Sequence, residues 1–209
     1  MTASAATPRA RISEALDQLR LSHTPARISL GELLDALGDH GFGLLILANA
    51  LPNAVPGPHI PGFSAVFAIA LVVLGAQLAL GWRSPRIPRR VRRWSVTSAG
   101  FSRFLDRALP LIRRIEAWLR PRPSWLTEAV GARVTGVAVV LLSIVLALPV
   151  PFGNAPIAWA LMILALGLME EDSRALGLGL AFGILAVAWN SALIAGGALA
   201  IAELLGYVG

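Results

Sequence analysis

Residues Leu51–Gly62, LPNAVPGPHIPG, place four prolines and two glycines inside strongly apolar sequence. Proline lacks a backbone donor and ends helices. In hydrocarbon, each backbone group left without a partner costs several kcal/mol, so a broken helix there must be covered by protein or line a wet cavity. A shorter relative, LPVPFGNAP, follows at Leu148–Pro156. Each stretch is entered from an apolar run ending in Ala-Leu-Pro. Each is left by another apolar run that reaches Leu-Gly, at Leu74-Gly75 and Leu166-Gly167. The expected design is therefore an internal repeat of two apolar hairpins with broken, proline-rich turns, a pattern known from transporter-type membrane folds.

Composition fits that design. Of 209 residues, 56% are hydrophobic and 14% charged, where a soluble domain carries nearer ~25% charge. The apolar residues come in blocks, as in integral membrane proteins. Cysteine is absent, which excludes disulfides and cysteine–metal sites, and three histidines make a histidine-rich metal site a poor prospect. All 18 basic residues are arginines, and 12 of them fall in Trp82–Trp125 against only Asp106 and Glu116. A basic block between apolar blocks reads as a cytoplasmic segment held near anionic lipid headgroups, not as a nucleic-acid surface. The opening MTASAATPRARISEALDQLR is polar without an apolar core, so it is not expected to be a cleavable signal peptide. The compartment that suits these features is the bacterial inner (cytoplasmic) membrane, crossed several times.

Four regions are expected: a polar segment over 1–27, a first membrane repeat over 28–81, arginine-rich interfacial or cytoplasmic helices over 82–128, and a second repeat with C-terminal transmembrane segments over 129–209. Ser29 with Glu32 forms a capping-box pattern ahead of Leu30, Leu33, Leu34 and Leu37 at helical spacing, which predicts an amphipathic interfacial helix. Gly41–Leu51 and Ile157–Met169 are apolar but only 11 and 13 residues long, against ~20 for a bilayer crossing. Phe63–Leu80 and Val134–Leu148 are stronger candidates. Ala175–Ala202 is 28 residues without a charge, either one tilted helix or two broken near Asn190 or Gly196-Gly197. Glu170-Glu171-Asp172 is expected to be a solvated turn paired with Arg174, and Gly179 with Gly183 a helix-packing motif.

Two readings of the proline turns stand. They are ordinary hairpin loops beyond the membrane, or they are buried, re-entrant turns; the short flanking segments favour the second. In that case Asn49, Asn53, His59, Ser64 and Asn154 satisfy freed backbone groups or contact a polar ligand. Pro52, Pro149, Pro156 and Gln77 complete the candidate pathway. Helix N-termini near Gly62 and Pro156 would favour an anion. Asp39-His40, beside the first membrane entry, is a candidate proton relay against the plainer reading of a solvated helix end. Arg89, Arg90, Arg92 and Arg93 form the candidate basic interface.

The order and spacing of SLGELLDALG at Ser29–Gly38, LPNAVPGPHIPGFS, Gln77 in Leu-Gly-Ala-Gln, PRPSWLT at Pro121–Thr127 and LPVPFGNAP resemble the exopolysaccharide synthesis protein family ExoD. The resemblance runs from about residue 14 to 205. Glu170-Glu171-Asp172-Ser173 departs from it where a glycine commonly follows the aspartate. The resemblance implies an all-α bacterial membrane protein associated with exopolysaccharide production, and it carries over no catalytic residue. The loop arrangement is also similar to that of DedA-type membrane proteins, implicated in lipid-carrier flipping; this is likeness of architecture.

The sequence holds no phosphate loop, dinucleotide fingerprint or nucleophile elbow, so an enzyme is not expected, nor a metal or other cofactor. Two functions remain: a transporter- or flippase-like protein for a small anion, lipid carrier or polysaccharide precursor, or a scaffold recruiting biosynthetic machinery through its basic segment. The expected partners are the lipid bilayer with its anionic headgroups and a second copy of the chain, with no nucleic acid.

Overall fold

A computed structural model describes residues 27–54, 63–98 and 119–208, with isolated positions between 102 and 117. The described chain is helical apart from one short strand pair. Its elements are β1 (Arg27–Ser29), α1 (Leu30–Leu37), a 3-10 turn (Gly38–His40), α2 (Gly41–Ala54), α3 (Phe63–Ala79), α4 (Arg89–Arg92), β2 (Ser95–Thr97), α5 (Ala129–Leu146), α6 (Asn154–Met169) and α7 (Ser173–Val208). They gather into two compact units. One contains Met1–His40 and Ile87–Arg120, the other Gly41–Arg86 and Pro121–Gly209.

In the first unit the capping box forms as its sequence requires. Ser29 Oγ accepts from the Glu32 amide at 3.2 Å, and the Ser29 amide donates to Glu32 Oε2 at 2.7 Å. Leu34 and Leu37 are buried on the apolar side of α1. The strand pair was not legible in the sequence. β1 and β2 run antiparallel with Ile28 opposite Val96, and the Leu30 amide extends the pairing to the Trp94 carbonyl at 2.7 Å. Arg27 clamps Ser95 through its Oγ and carbonyl at 2.9 and 3.0 Å. Arg92 lies across Gly31 and pairs with Asp35.

The second unit is a bundle whose packing follows small residues. A Cβ at Gly136 would strike the backbone of Ala79 and come within 2.8 Å of the Gly75 carbonyl, so α3 and α5 touch backbone to backbone. This contact runs antiparallel. A Cβ at Gly43 would meet Met169 and the Ala165 carbonyl, which sets α2 antiparallel to α6. Gly167 faces Leu176 and Gly179 faces Leu164, so α7 runs back along α6. The Gly179–Gly183 motif thus packs α7 within the chain, with Gly183 against Leu142. The dry centre includes Ile46, Leu71, Leu146, Ile157, Leu161, Leu164 and Leu176.

These registers place the C-termini of α2 and α5 and the N-termini of α3 and α6 at one end of the bundle, the tip end. The opposite, root end holds the C-termini of α3 and α6 and the N-termini of α5 and α7. Two expected boundaries move here, and one open alternative is decided. The helix does not stop at Pro52: α2 continues to Ala54, with the Pro52 ring exposed. α6 starts at Asn154 and places Pro156 in its first turn, where a missing N–H costs little. α7 is one helix of 36 residues, unbroken at Asn190 or Gly196-Gly197. By length and composition, Ala129–Leu146 and Ser173–Leu199 can cross a membrane; Gly41–Ala54, Ser64–Ala79 and Asn154–Met169 are apolar but shorter.

Candidate functional site

The tip end collects buried amides. Asn154, the first residue of α6, is 3% exposed and donates through Nδ2 to Ser64 Oγ on α3 at 2.8 Å. The first turns of α6 and α3 are thereby joined through residues 90 positions apart. Asn190 on α7 is 1% exposed and donates through Nδ2 to the Gly153 carbonyl at 2.7 Å. A Cβ at residue 153 would collide with Asn190 Oδ1, so this close approach needs glycine. Asn53, in the last turn of α2, is 5% exposed and donates to the Asn49 carbonyl at 3.3 Å. Asn49 in turn donates to Leu45 O at 2.7 Å. Trp159 Nε1 donates to the Ala54 carbonyl at 2.9 Å and so ties α6 to the end of α2.

Each of these buried amides makes one internal bond through its nitrogen. Asn53 Oδ1, Asn154 Oδ1 and Asn190 Oδ1 are buried without a hydrogen-bond partner. Two of the three orientations are forced by chemistry. A carbonyl only accepts, so the atom facing Gly153 O or Asn49 O is the amide nitrogen. A buried amide oxygen without a partner costs about 1–3 kcal/mol, so three at one end of a bundle need a purpose. Thr135 Oγ1, on α5 toward the root end, is a fourth buried atom without a partner and has no physical account here.

Helix dipoles do not make the tip end an anion site. Two N-termini meet two C-termini there, so the partial charges largely offset each other. The anion preference expected from the N-termini alone therefore lacks its electrostatic basis.

Gln77 is buried at the root end, thirteen residues along α3 from Ser64. It donates to Arg86 O at 3.0 Å and accepts from the Arg86 amide at 2.7 Å, while the Arg86 guanidinium stacks 4.5 Å over the Trp82 ring. It locks a turn and is not part of the tip cluster. Pro149 is exposed in the second turn and Pro156 half-buried beyond Asn154. His59 and the side chain of Asp39 lie outside the described residues, and half-buried His40 ends the 3-10 turn of the first unit. Arg89, Arg90, Arg92 and Arg93 are exposed in and beside α4, next to Trp94 at 70% exposure.

Sequence reasoning missed one strong feature. Asp172 is not part of a solvated turn: it is 1% exposed, and Arg122 Nη1 reaches its two carboxylate oxygens at 3.0 and 3.3 Å. Its Oδ1 also accepts from the amides of Arg174 and Ala175 at 2.9 and 3.3 Å, capping α7. Arg174 contributes its backbone, and the ion pair belongs to Arg122. The neighbouring Glu171 stands in the left-handed region at φ 49°. The signal was present in PRPSWLT, whose Arg122 amide donates to the Glu171 carbonyl at 3.1 Å.

The described residues of the second unit thus form a helical bundle with buried amides at its tip end. The family model "Exopolysaccharide synthesis, ExoD" matches residues 12–192. This chain belongs to the ExoD family. Protein ExoD of Rhizobium meliloti (strain 1021) is 28% identical over 165 residues, covering 77% of this chain and 68% of that one. An uncharacterized protein of Synechocystis sp. is 26% identical over 159 residues, covering 76% and 74%. No solved structure matches. The ExoD match includes both turns, the Arg122–Asp172 pair and Asn190, and associates the chain with exopolysaccharide synthesis.

Proposed function

We propose that this ExoD protein works in the bacterial inner membrane as a homodimeric, multi-pass transporter- or flippase-like component of exopolysaccharide production. It moves a small polar solute, or the polar head of a lipid-linked precursor, past the tips of two re-entrant hairpins. The observation that carries this reading is the tip cluster of Asn53, Asn154 and Asn190, buried with amide oxygens uncommitted.

Helix lengths support burial of the tips within the bilayer. α2, α3 and α6 have 14, 17 and 16 residues, or ~21–26 Å at about 1.5 Å per residue, short of the ~30 Å hydrocarbon core. α7 reaches the tips at Asn190 and continues to Val208. Its apolar residues run well past the level of the turns, so a bilayer that covers α7 also covers the tips. Packing supports the repeat: α2 pairs with α6 and α3 with α5, each hairpin's first helix on the other's second. The two hairpins run in the same direction, which favours a parallel repeat. Arg83, Arg86, Arg122, Arg133 and Arg174 all stand at the root end, which favours a cytoplasmic root.

The native chain has no cysteine, so single cysteines at 53, 154 and 190 can be read without background. Both sides of an inner-membrane vesicle should fail to label them with an impermeant maleimide, and Asn154→Ala should abolish solute flux in proteoliposomes while the protein stays folded. Free labelling from the outer side, or undiminished flux, overturns the reading. The alternative of a recruiting scaffold is favoured by one observation, exposed Arg89, Arg90 and Arg93 beside exposed Trp94. It requires neutralising those arginines to disrupt complex formation while tip variants behave normally.

A further inference from the structure

We infer that the tip end binds the hydroxyl groups of a neutral sugar. This rests on the transport reading above and names the class of ligand that the same site takes. Each buried amide has an oxygen without a partner, fixed in place at Asn53 and Asn190 by the carbonyl that its nitrogen faces. Asn190 and Asn53 have their N–H2 groups held by backbone carbonyls, and Asn154 has its own held by Ser64. What is left on each is Oδ1 and the second N–H of the same amide. The complement of such a set is a hydroxyl, which donates to the oxygen and accepts from the N–H.

Charge decides which donors. In this unit the described ionisable residues near the bundle stand at the root end, among them Arg86, Arg122, Arg133 and Asp172, and Glu203 sits far along α7. The tip amides carry no formal charge, and the helix termini around them offset one another. Taking a full charge out of water against three neutral oxygens costs far more than taking hydroxyls, which remain neutral and satisfy the oxygens one for one. A divalent cation would ask for carboxylates in addition.

The rim supplies the other half of sugar recognition. Phe152 in the second turn is 74% exposed, Trp189 beside Asn190 is 51% exposed, and Trp159, bonded to the end of α2, is 46% exposed. A sugar presents an apolar C–H face and an edge of hydroxyls. Flat rings gain dispersion against the face while amide oxygens accept from the edge. Acceptor amides and exposed rings at one end of one bundle match both sides of that ligand.

The full-length protein, purified in detergent, is mixed with three lipids sharing the same acyl chains: monoglucosyl diacylglycerol, plain diacylglycerol and phosphatidylglycerol. Bound lipid is counted by native mass spectrometry. The glucosyl lipid should be retained about tenfold over diacylglycerol, the scale of one to two net hydrogen bonds, and in preference to phosphatidylglycerol. Asn154→Leu should reduce that preference to parity. Because a core substitution can weaken the fold, Phe152→Ala and Trp189→Ala, both at exposed rings, provide the second arm and should each reduce it about threefold. Parity among the three lipids means the amides are served by solvent and overturns the inference, as does preferential retention of phosphatidylglycerol or indifference to all three variants. Parity with intact, Asn154-dependent flux overturns the sugar site and leaves transport standing. Glucosyl preference without flux upholds the site and overturns transport.

Discussion

Removing the Asp172 carboxylate tests how the root end is held. The side chain is 2% exposed while that of Arg122 is 34% exposed, so the two partners respond differently to separation. Breaking a fully buried pair by deleting one member costs about 3–5 kcal/mol, because a charge is stranded. Here the surviving Arg122 can turn to water, and the ion-pair part shrinks to about 1–2 kcal/mol. The cap adds about 1 kcal/mol, since Oδ1 serves the amides of Arg174 and Ala175. Asp172→Ala loses both and should destabilise the protein by about 2–3 kcal/mol. Asp172→Asn keeps an acceptor for the cap and should cost about 1–2 kcal/mol. The assay is unfolding in mixed micelles with rising SDS fraction, followed by tryptophan fluorescence. A double-mutant cycle with Arg122→Gln should give a coupling of about 1 kcal/mol or more. Coupling below about 0.3 kcal/mol, or equal losses for Asp172→Asn and Asp172→Ala, would refute the argument.

Two further outcomes follow from close approaches. Gly136→Ala drives a methyl group into the backbone of Ala79 and Gly75, where nothing flexible can yield; it should cost about 3 kcal/mol, read as a lower thermal midpoint in detergent. An unchanged midpoint would show that α3 and α5 do not meet there. Gly153→Ala should cost about 1–3 kcal/mol by striking the Asn190 amide. Its pair with Asn190→Ala should be less costly than the sum of the two single changes, because the second removes what the first collides with; strict additivity would separate the turn from α7.

Legibility varied with the range of the cause. The capping box at Ser29 and Glu32 was readable because both partners sit within one turn. The helical blocks were readable because apolar periodicity acts locally. Helix ends are less so: a proline in the last turn forfeits a single bond, so α2 runs past Pro52 to Ala54. The strand pair joins Arg27–Ser29 to Ser95–Thr97 across sixty-eight positions, and three-residue strands carry no alternation to read. Asp172 looked solvated because its neighbours are acidic, while the partner that buries it stands 50 residues earlier.

Asn190 joins these scales. In sequence it is a lone amide in an uncharged run, and interhelical glue is its natural reading. The structure agrees as far as the Nδ2–Gly153 bond, but glue accounts for only one of its two polar atoms. The same division holds at Asn53 and Asn154, where the nitrogen makes a bond and the oxygen has none. Had these residues served packing alone, leucine, an apolar side chain of similar shape, would have filled the space without leaving three oxygens to be satisfied. The bonds of Asn154 and Asn190 tie α6 to α3 and the second turn to α7, while that of Asn53 closes within α2. The contacts that hold the second turn in place would thus also hold the amides in place for the proposed ligand.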